Sequence, residues 1–495
     1  MNATRRLRNL LVATCLLATW PLTGLGQAAP AEPGPPKPPP CVYCKEALLT
    51  VDALRAKLPR DWTAELESDP VFRGEILVVQ AGRKDAPTVL FIHGLGQAAF
   101  TDWIPTMMQV ARRFHVVAVD LPGYGYSSSP LGKYSPTNYA RVLKEVLARH
   151  ASGPAIVVGH SMGGAVALRL ASDYPATTSR LVLADVAGIL QRTAFVKYTA
   201  TGRMAIEDVP DVLKEPVARI KDFGRAAVER VFGLPGDPTR LLRASDLAWE
   251  LVLRNRTNVN AALALIDEDF SAALRTLRQP TQLIWGDADA IAPLRTAQVL
   301  AELIPRVQLK TLAGVGHMPM EDAPAQFQSL LDTALVTDPV APPPRPGPPP
   351  DSTVDLDCNG QVGRQYSGDY HEVVIEHCTG VRLVDLTAEK ITVRDSIVQM
   401  VNVHVRGRDV GLDAVNSEVV VTASDVSGEI AVRADASRLD FAAVSLLALD
   451  TAIDVKRRSR LIASVSDIHS PQYNGYWHDS LELEDARLAA TQIRP

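Results

Sequence analysis

Short, almost continuously apolar runs alternate with longer amphipathic stretches between residues 76 and 312. Runs of this length rich in Val, Ile and Leu are typical of parallel strands buried on both faces of a sheet. The stretches between them, such as 138–150 and 162–174, space their apolar residues as helices do. This alternation predicts an α/β fold, a mostly parallel sheet with helices on both faces. The predicted strands are 76–80, 88–93, 115–120, 155–160, 180–187, 281–287 and 307–312.

One long interval, about 188–278, interrupts this alternation. Its apolar residues have helical spacing, and it contains no convincing strand. We therefore predict a helical lid inserted over the carboxyl end of the sheet, the edge at which open α/β sheets bind ligands.

The pattern changes again after residue 350, where short apolar stretches alternate with Asp, Ser and Thr. A serine, a charged residue and an apolar residue recur from Ser417, Ser437 and Ser459, at intervals of 20 and 22 residues. Such intervals predict one coil of a β-solenoid per repeat, in the form of a right-handed parallel β-helix. An antiparallel sandwich with coincidental spacing is the alternative.

Two proline tracts, 30–40 and 339–350, divide the chain. Proline tracts favour extended polyproline II and act as semi-rigid spacers. We expect few contacts across the second tract, so that the first domain folds and works alone. The predicted organisation is a signal peptide at 1–28, a Pro-rich linker at 29–45, an α/β domain at 46–337, a second linker at 338–352 and an all-β domain at 353–495.

The amino terminus predicts export. Three arginines precede an apolar run that ends near Leu25, and small residues follow it up to Ala28. This is the pattern of a secretory signal peptide, so we expect a bacterial protein that is periplasmic or secreted. An uncleaved N-terminal membrane anchor is the alternative. Export would place four further cysteines in an oxidising compartment, and we take them as candidates for structural disulfides: Cys41, Cys44, Cys358 and Cys378.

Composition limits the classes of partner. Apolar residues make up 46% of the chain and charged residues 22%, as in ordinary folded soluble proteins. The formal net charge of −5 gives no sign of binding to nucleic acid. Cys41 and Cys44 have the spacing of half a zinc site, but no second pair completes it, so no metal site is predicted.

The strongest chemical signal is Gly-His-Ser-Met-Gly at 159–163. It matches G-x-S-x-G and lies directly between a predicted strand and a predicted helix, which is the context that a nucleophile elbow requires. Gly159 and Gly163 relieve clashes around the tight turn, and the helix N-terminus favours a developing anion. This pattern makes Ser161 the candidate nucleophile.

A serine hydroxyl needs an adjacent base and an oriented partner for that base. His317 follows the last predicted strand in a glycine-rich loop and is the candidate base. Asp287 and Asp289 both lie where the preceding strand ends, and both qualify as its carboxylate partner, with Asp185 as a minor candidate. The chain order of nucleophile, acid and base is that of the α/β-hydrolase class.

An oxyanion hole requires two backbone N–H groups. We assign one to Met162, the residue after the nucleophile. The other is assigned to Leu95, in the loop after the strand at 88–93, where Gly94 and Gly96 let the backbone bend towards the substrate.

Residues from about 86 to 334 resemble the α/β-hydrolase superfamily in its lid-bearing esterase, lipase and C–C hydrolase branch. The resemblance implies that Asp289 is the acid rather than Asp287, because the acid of this family usually lies three residues after the glycine, here Gly286. Serine as nucleophile argues against the dehalogenases and epoxide hydrolases of the same fold, which attack with aspartate. The motifs that carry the resemblance are 93–96, 120–127, 159–163, 286–293 and 316–324.

The predicted function is a serine hydrolase that cleaves a carboxylic ester of a small molecule through an acyl-enzyme on Ser161, with no cofactor. A C–C bond hydrolase, an acyltransferase and a cofactor-free perhydrolase would use the same triad and stay open. In an alternative of another class, the main role of the protein is binding of polysaccharide or the cell envelope by the C-terminal domain.

Overall fold

The computed structural model describes residues 50–96, 98–194, 245–254, 256–340 and 352–493. Outside these ranges lie the predicted signal peptide, the whole first Pro-rich linker with Cys41 and Cys44, most of the second linker, and residues 195–244 and 255 of the predicted lid. Within them, no helix is long and apolar enough to cross a membrane.

An eight-stranded mixed sheet forms the first domain, in the order β1-β2-β4-β3-β5-β6-β7-β8. The six strands from β4 to β8 in this order pair in parallel, as predicted. β1 and β2 add antiparallel pairings at one edge. The strands are β1 (Thr63–Asp69), β2 (Gly74–Ala81), β3 (Thr88–Ile92), β4 (His115–Asp120), β5 (Ala155–His160), β6 (Thr178–Ala184), β7 (Thr281–Gly286) and β8 (Val307–Leu312).

Helices cover both faces of this sheet, as predicted. Val117 of β4 lies in a buried cluster with residues of α3 and α4, whereas Val116 packs on the opposite face with residues of α2 and α10. The described part of the predicted lid is helical and contains α5, α6 and α7. The helices are α1 (Val51–Arg55), α2 (Ile104–Val110), α3 (Pro136–His150), α4 (Met162–Asp173), α5 (Asp246–Leu253), α6 (Thr257–Ile266), α7 (Ser271–Thr276), α8 (Leu294–Leu303), α9 (Pro319–Asp322) and α10 (Pro324–Ala334).

The second domain is all-β, and most of its strands pair in parallel. The predicted repeats lie in register: Val419 of β14 pairs with Leu439 of β15, which pairs with Leu461 of β16, and all three side chains are buried. The last strands add antiparallel pairs. The strands are β9 (Leu356–Asn359), β10 (Gln365–Glu376), β11 (Thr379–Arg394), β12 (Ile397–Arg406), β13 (Val410–Val415), β14 (Glu418–Asp435), β15 (Arg438–Val455), β16 (Ser459–Ser464), β17 (Ser466–Ser470), β18 (Tyr473–Trp477), β19 (Ser480–Leu483) and β20 (Ala486–Arg487).

Buried serines hold the corners between these strands. Ser396, Ser417 and Ser437 each follow a residue with positive φ, such as Asn416 (φ 48°) before Ser417. Ser417 Oγ accepts a hydrogen bond from Ser396 N over 3.1 Å and donates one to Val415 O over 2.7 Å. Ser437 and Ser459 repeat the arrangement one and two repeats later. We call this set, Ser396, Ser417, Ser437 and Ser459, the serine ladder.

Contacts between the two domains correct one expectation. The buried cluster of the α/β domain continues into the all-β domain and includes its Ala442, Ala443, Ile462 and Val465. The prediction of few contacts across the second linker is therefore wrong. The proline tract predicts only its own extended conformation. The contact between the domains is made by residues that lie far from the tract in the sequence.

Cys358 and Cys378 are both buried in the all-β domain, and their Sγ atoms lie 2.8 Å apart. The structure contains them as two thiols, so their pairing stays a prediction. The thiol of Cys378 also contacts the backbone oxygen of Cys358 over 3.2 Å.

Candidate active site

Ser161 lies on a tight turn between β5 and α4, with φ 52° and ψ −120°. A non-glycine residue rarely adopts positive φ, and such strain persists only where the surrounding structure enforces it. The neighbouring glycines show that the space is confined. A Cβ at Gly159 would lie 2.4 Å from Gly163 O, and one at Gly163 would lie 2.3 Å from Ile92 O. The turn therefore requires both glycines and presents Ser161 at the carboxyl end of the sheet.

The structure brings together the three residues that the sequence predicts as nucleophile, base and acid. His317 Nε2 lies 3.0 Å from Ser161 Oγ, and His317 Nδ1 lies 2.7 Å from Asp289 Oδ2. The side chain of Asp289 is fully buried and that of His317 is 16% exposed. These distances form a continuous hydrogen-bonded line from a carboxylate through an imidazole to a hydroxyl.

Asp289 has the surroundings of an ionised carboxylate. Its Oδ1 accepts hydrogen bonds from Ile291 N over 2.7 Å and from Ala292 N over 2.9 Å. Burial alone would raise its pKa, but the contact with His317 and these two N–H groups lower it below the usual range. Asp289 is therefore suited to orient His317 and to stabilise a positive charge on it.

The other two candidate acids occupy different positions. Asp287 Oδ1 accepts from Gly314 N over 2.7 Å, so this side chain fixes the loop that leads to His317. Asp185 is fully buried, and its Oδ1 accepts from Gly286 N over 2.9 Å. Burial raises the pKa of Asp185 well above the usual range, and the negative charge of the nearby Asp289 raises it further. Asp185 is thus a neutral carboxylic acid beside an ionised one.

The predicted oxyanion loop is held close to Ser161. Gly94 approaches so closely that a Cβ there would lie 3.0 Å from Ser161 Cβ. His93 fixes the loop, because its Nδ1 lies 2.7 Å from Gly94 O and its Nε2 accepts from Leu121 N over 2.9 Å. Burial lowers the pKa of His93 to about 4, which keeps Nε2 free to accept.

The two residues predicted as oxyanion donors differ in exposure. Met162 is buried as the first residue of α4, and Leu95 is 37% exposed next to Gly94. A Cβ at Gly96 would meet no atom within 4 Å. Space therefore does not require a glycine at position 96, whereas it does at position 94.

His160 is a site residue that the sequence reasoning missed. Its Nε2 lies 2.7 Å from the backbone oxygen of His317 and must donate to it. Burial, and next the charge of His317, lower the pKa of His160 to about 3, so it stays neutral and keeps this bond. The only signal in the sequence was its position beside the nucleophile. His160 anchors the backbone of the candidate base.

Within the described residues, no group of three or more His, Cys, Asp or Glu side chains is arranged to hold a metal ion. The candidate site consists of side chains and backbone groups of the α/β domain.

Comparisons with known proteins show what the α/β domain is similar to. The family described as alpha/beta hydrolase fold matches residues 87–324. An uncharacterized protein of Mycobacterium tuberculosis H37Rv is 29% identical over 264 residues, which span 51% of this chain and 76% of the relative. A pimeloyl-[acyl-carrier protein] methyl ester esterase of Edwardsiella ictaluri is 29% identical over 51% of this chain and 93% of its own length.

Among solved structures, a hydrolase from Pseudomonas aeruginosa PA01 is 23% identical, covers 56% of this chain and 99% of that chain, and aligns with a TM-score of 0.41. The family match and the relative that is named an esterase support a hydrolase. The family match supports an alpha/beta hydrolase fold for residues 87–324.

Proposed function

We propose that the protein is a serine hydrolase that cleaves a carboxylic ester through an acyl-enzyme on Ser161. The observation that carries this proposal is the line from Asp289 through His317 to Ser161, with contacts of 2.7 and 3.0 Å. The acid, the base and the nucleophile follow three different strands of one sheet. Their side chains meet at its carboxyl edge, where ligands of open α/β sheets bind.

In the proposed reaction, Ser161 Oγ attacks the ester carbonyl while His317 Nε2 takes its proton. Asp289 accepts from the Nδ1–H of His317 and stabilises the imidazolium that forms. His317 then gives the proton to the leaving alcohol, and the acyl group stays on Ser161. Water attacks the acyl-enzyme in the same way, with His317 as base, and releases the acid.

The negative charge on the tetrahedral intermediate needs donors that are already in place. We propose the backbone N–H groups of Leu95 and Met162. Two observations support this assignment: the close approach of Gly94 to Ser161, and the position of Met162 at the N-terminus of α4, which favours negative charge. His93 holds the loop that carries Leu95, and His160 holds the loop that carries His317.

A small-molecule ester is the proposed substrate. One relative is named a methyl ester esterase, and an ester gives a leaving alcohol that His317 can protonate without a further catalytic group. A C–C hydrolase, an acyltransferase and a perhydrolase would use the same three side chains. Identification of the products is therefore needed to distinguish these reactions from ester hydrolysis.

The proposal is tested with the full mature chain on a panel of p-nitrophenyl esters of increasing acyl length. We expect turnover, and covalent labelling of Ser161 by a fluorophosphonate. The Ser161→Ala variant is the matched control and should show neither. Turnover by a folded Ser161→Ala variant would reject the proposal. If the protein hydrolysed a C–C substrate in preference to every ester, the assigned reaction would be C–C bond hydrolysis and not ester hydrolysis.

We also propose that the all-β domain winds as a right-handed parallel β-helix and that the protein is exported. Parallel pairing of residues 20 to 22 positions apart supports the first proposal, and the basic and apolar amino terminus supports the second. Contact with polysaccharide or the cell envelope is a second candidate role. A polar groove of about 730 Å³ along the serine ladder supports it, lined in part by Asn416, Glu418, Arg438 and Arg460.

A further inference from the structure

Two loops of the α/β domain contact both the proposed catalytic groups and the C-terminal domain. In the loop after β6, Ala187 N donates to Ser161 O over 3.3 Å, and Gln191 N donates to Ser464 Oγ over 2.8 Å. The loop after β7 carries Asp289 and leads directly into α8. The C-terminal domain therefore touches the two segments that support the nucleophile and the acid.

Arg295, the second residue of α8, makes the deepest of these contacts. Its Nη2 donates to Asp440 Oδ1 over 2.9 Å and to Asp440 O over 3.0 Å, and its Nε donates to Thr422 Oγ1 over 2.8 Å. The side chain of Arg295 is 7% exposed and that of Asp440 is 1% exposed. A planar guanidinium held at several atoms permits only one orientation of the helix end that carries it.

A short and rigid stretch of backbone connects Arg295 to Asp289. Asp289 Oδ1 accepts from the N–H groups of Ile291 and Ala292. Ala292 O accepts from Trp285 Nε1 over 2.8 Å, and Thr296 N donates to Pro293 O over 2.7 Å. Because four peptide groups between the two side chains are hydrogen-bonded in this way, a shift of Arg295 would be transmitted to the carboxylate.

A buried ion pair contributes little net stability, since desolvation of both charges offsets their attraction. It does specify geometry, because any other arrangement leaves a buried charge without its partner. The buried pair of Arg295 and Asp440 is therefore better explained as a device that orients α8 than as one that stabilises the contact between the domains.

We propose that Arg295 is a positioning residue, through which the C-terminal domain holds the Asp289 loop in the orientation that His317 requires. This inference rests on the proposed function. It makes the C-terminal domain a working part of the enzyme and not a separable module. Arg295 touches neither substrate nor the reacting atoms, and its effect passes through Asp289.

A second arginine offers a matched control. Arg275, of α7, donates from Nη2 to Asp467 Oδ1 over 2.9 Å and to Val465 O over 2.8 Å, and it lies 4.6 Å from the ring centre of Tyr476. It therefore also joins the two domains, but α7 does not continue from the loop of any proposed catalytic residue.

The test compares Arg295→Met, Arg295→Lys and Arg275→Met in the full chain, at a temperature at which circular dichroism shows each variant folded. We expect Arg295→Met to lower kcat about tenfold to hundredfold, since small displacements of a catalytic group cost that much, with KM nearly unchanged. Arg295→Lys should recover part of kcat. Arg275→Met should lower the melting temperature as Arg295→Met does, yet keep kcat within about twofold.

The outcomes separate this inference from the proposed function. If the parent protein neither hydrolyses esters nor is labelled at Ser161, the proposed function fails. If the parent is active and Arg295→Met keeps its kcat, the inference is overturned although the proposed function stands. Equal losses of kcat in Arg295→Met and Arg275→Met would also overturn it, because general loosening of the contact would then explain both.

Discussion

The two domains use buried serines in opposite ways. Ser417 of the serine ladder accepts from one backbone N–H and donates to a backbone carbonyl, so its hydroxyl is committed to the fold. The hydroxyl of Ser161 instead lies against His317 Nε2, on a turn whose strained backbone presents it at the sheet edge. Both serines are about 4–5% exposed, so burial alone does not distinguish them.

The difference lies in what each hydroxyl contacts. A serine that completes backbone hydrogen bonds contributes stability, and a serine that faces a base contributes reactivity. The same contrast separates the two kinds of buried carboxylate, since Asp440 is paired with a permanent cation and Asp289 with an imidazole that can take up and release a proton.

The largest effect is expected for Ser161→Ala. It removes the nucleophile, so turnover on the best ester should fall by a factor of ~10³ or more. Alanine fits the turn, and the melting temperature should stay close to that of the parent. The measurement pairs steady-state kinetics with thermal unfolding. Near-normal turnover by the folded variant would show that this serine is no more reactive than those of the ladder.

The next largest effect should come from Asp289→Asn. It removes the negative charge that stabilises the imidazolium, so kcat should fall by ~10²–10⁴. Asp287→Asn is the matched control, because its amide oxygen can still accept from Gly314 N, and kcat should change little. The reverse ranking in the same assay would assign the acid to Asp287.

Ser417→Ala should reverse the result for Ser161. It leaves Ser396 N without its acceptor and removes one of the hydrogen bonds to Val415 O, which keeps the one from Asp395 N. The unfolding free energy should therefore fall by about 1–3 kcal/mol with kcat unchanged. Chemical denaturation measures the change. Ser367→Ala, at an exposed position of β10, is the control and should be nearly neutral. A Ser417→Ala variant as stable as that control would contradict the role of the ladder.

Asp185→Asn should have the smallest effect at neutral pH, since an amide replaces a carboxyl that is already neutral. The sign of its pH dependence follows from the raised pKa of Asp185. Between pH 5 and 8 the folded parent keeps a proton that the unfolded chain has released, so the parent loses stability as pH rises, by up to ~1.4 kcal/mol per pH unit. The stability of Asp185→Asn relative to the parent should therefore increase with pH. A constant difference would mean that Asp185 is ionised in the folded protein.

Local patterns predicted most of the fold and of the site. Most of the parallel strands are largely apolar runs, and Ser161 and His317 lie in short motifs whose spacing can be read directly. β1 was missed because only Ala64 and Asp69 of this edge strand are buried, and its Glu and Asp residues look like a loop. The contact between the domains and the role of His160 were missed because they depend on residues far apart in the sequence. Arg295 looked like an ordinary charged residue on an amphipathic helix.

The most direct test of the central claim is to trap and locate the acyl group. The parent protein is mixed with a slowly hydrolysed ester, quenched in acid, digested and analysed by tandem mass spectrometry. We predict that the mass of one acyl group is added to the peptide that contains Ser161, and that this adduct is absent from Ser161→Ala and decays as product is released. Ester turnover with the acyl group on another residue, or with no acyl-enzyme under conditions that trap one in a known serine esterase, would contradict the account.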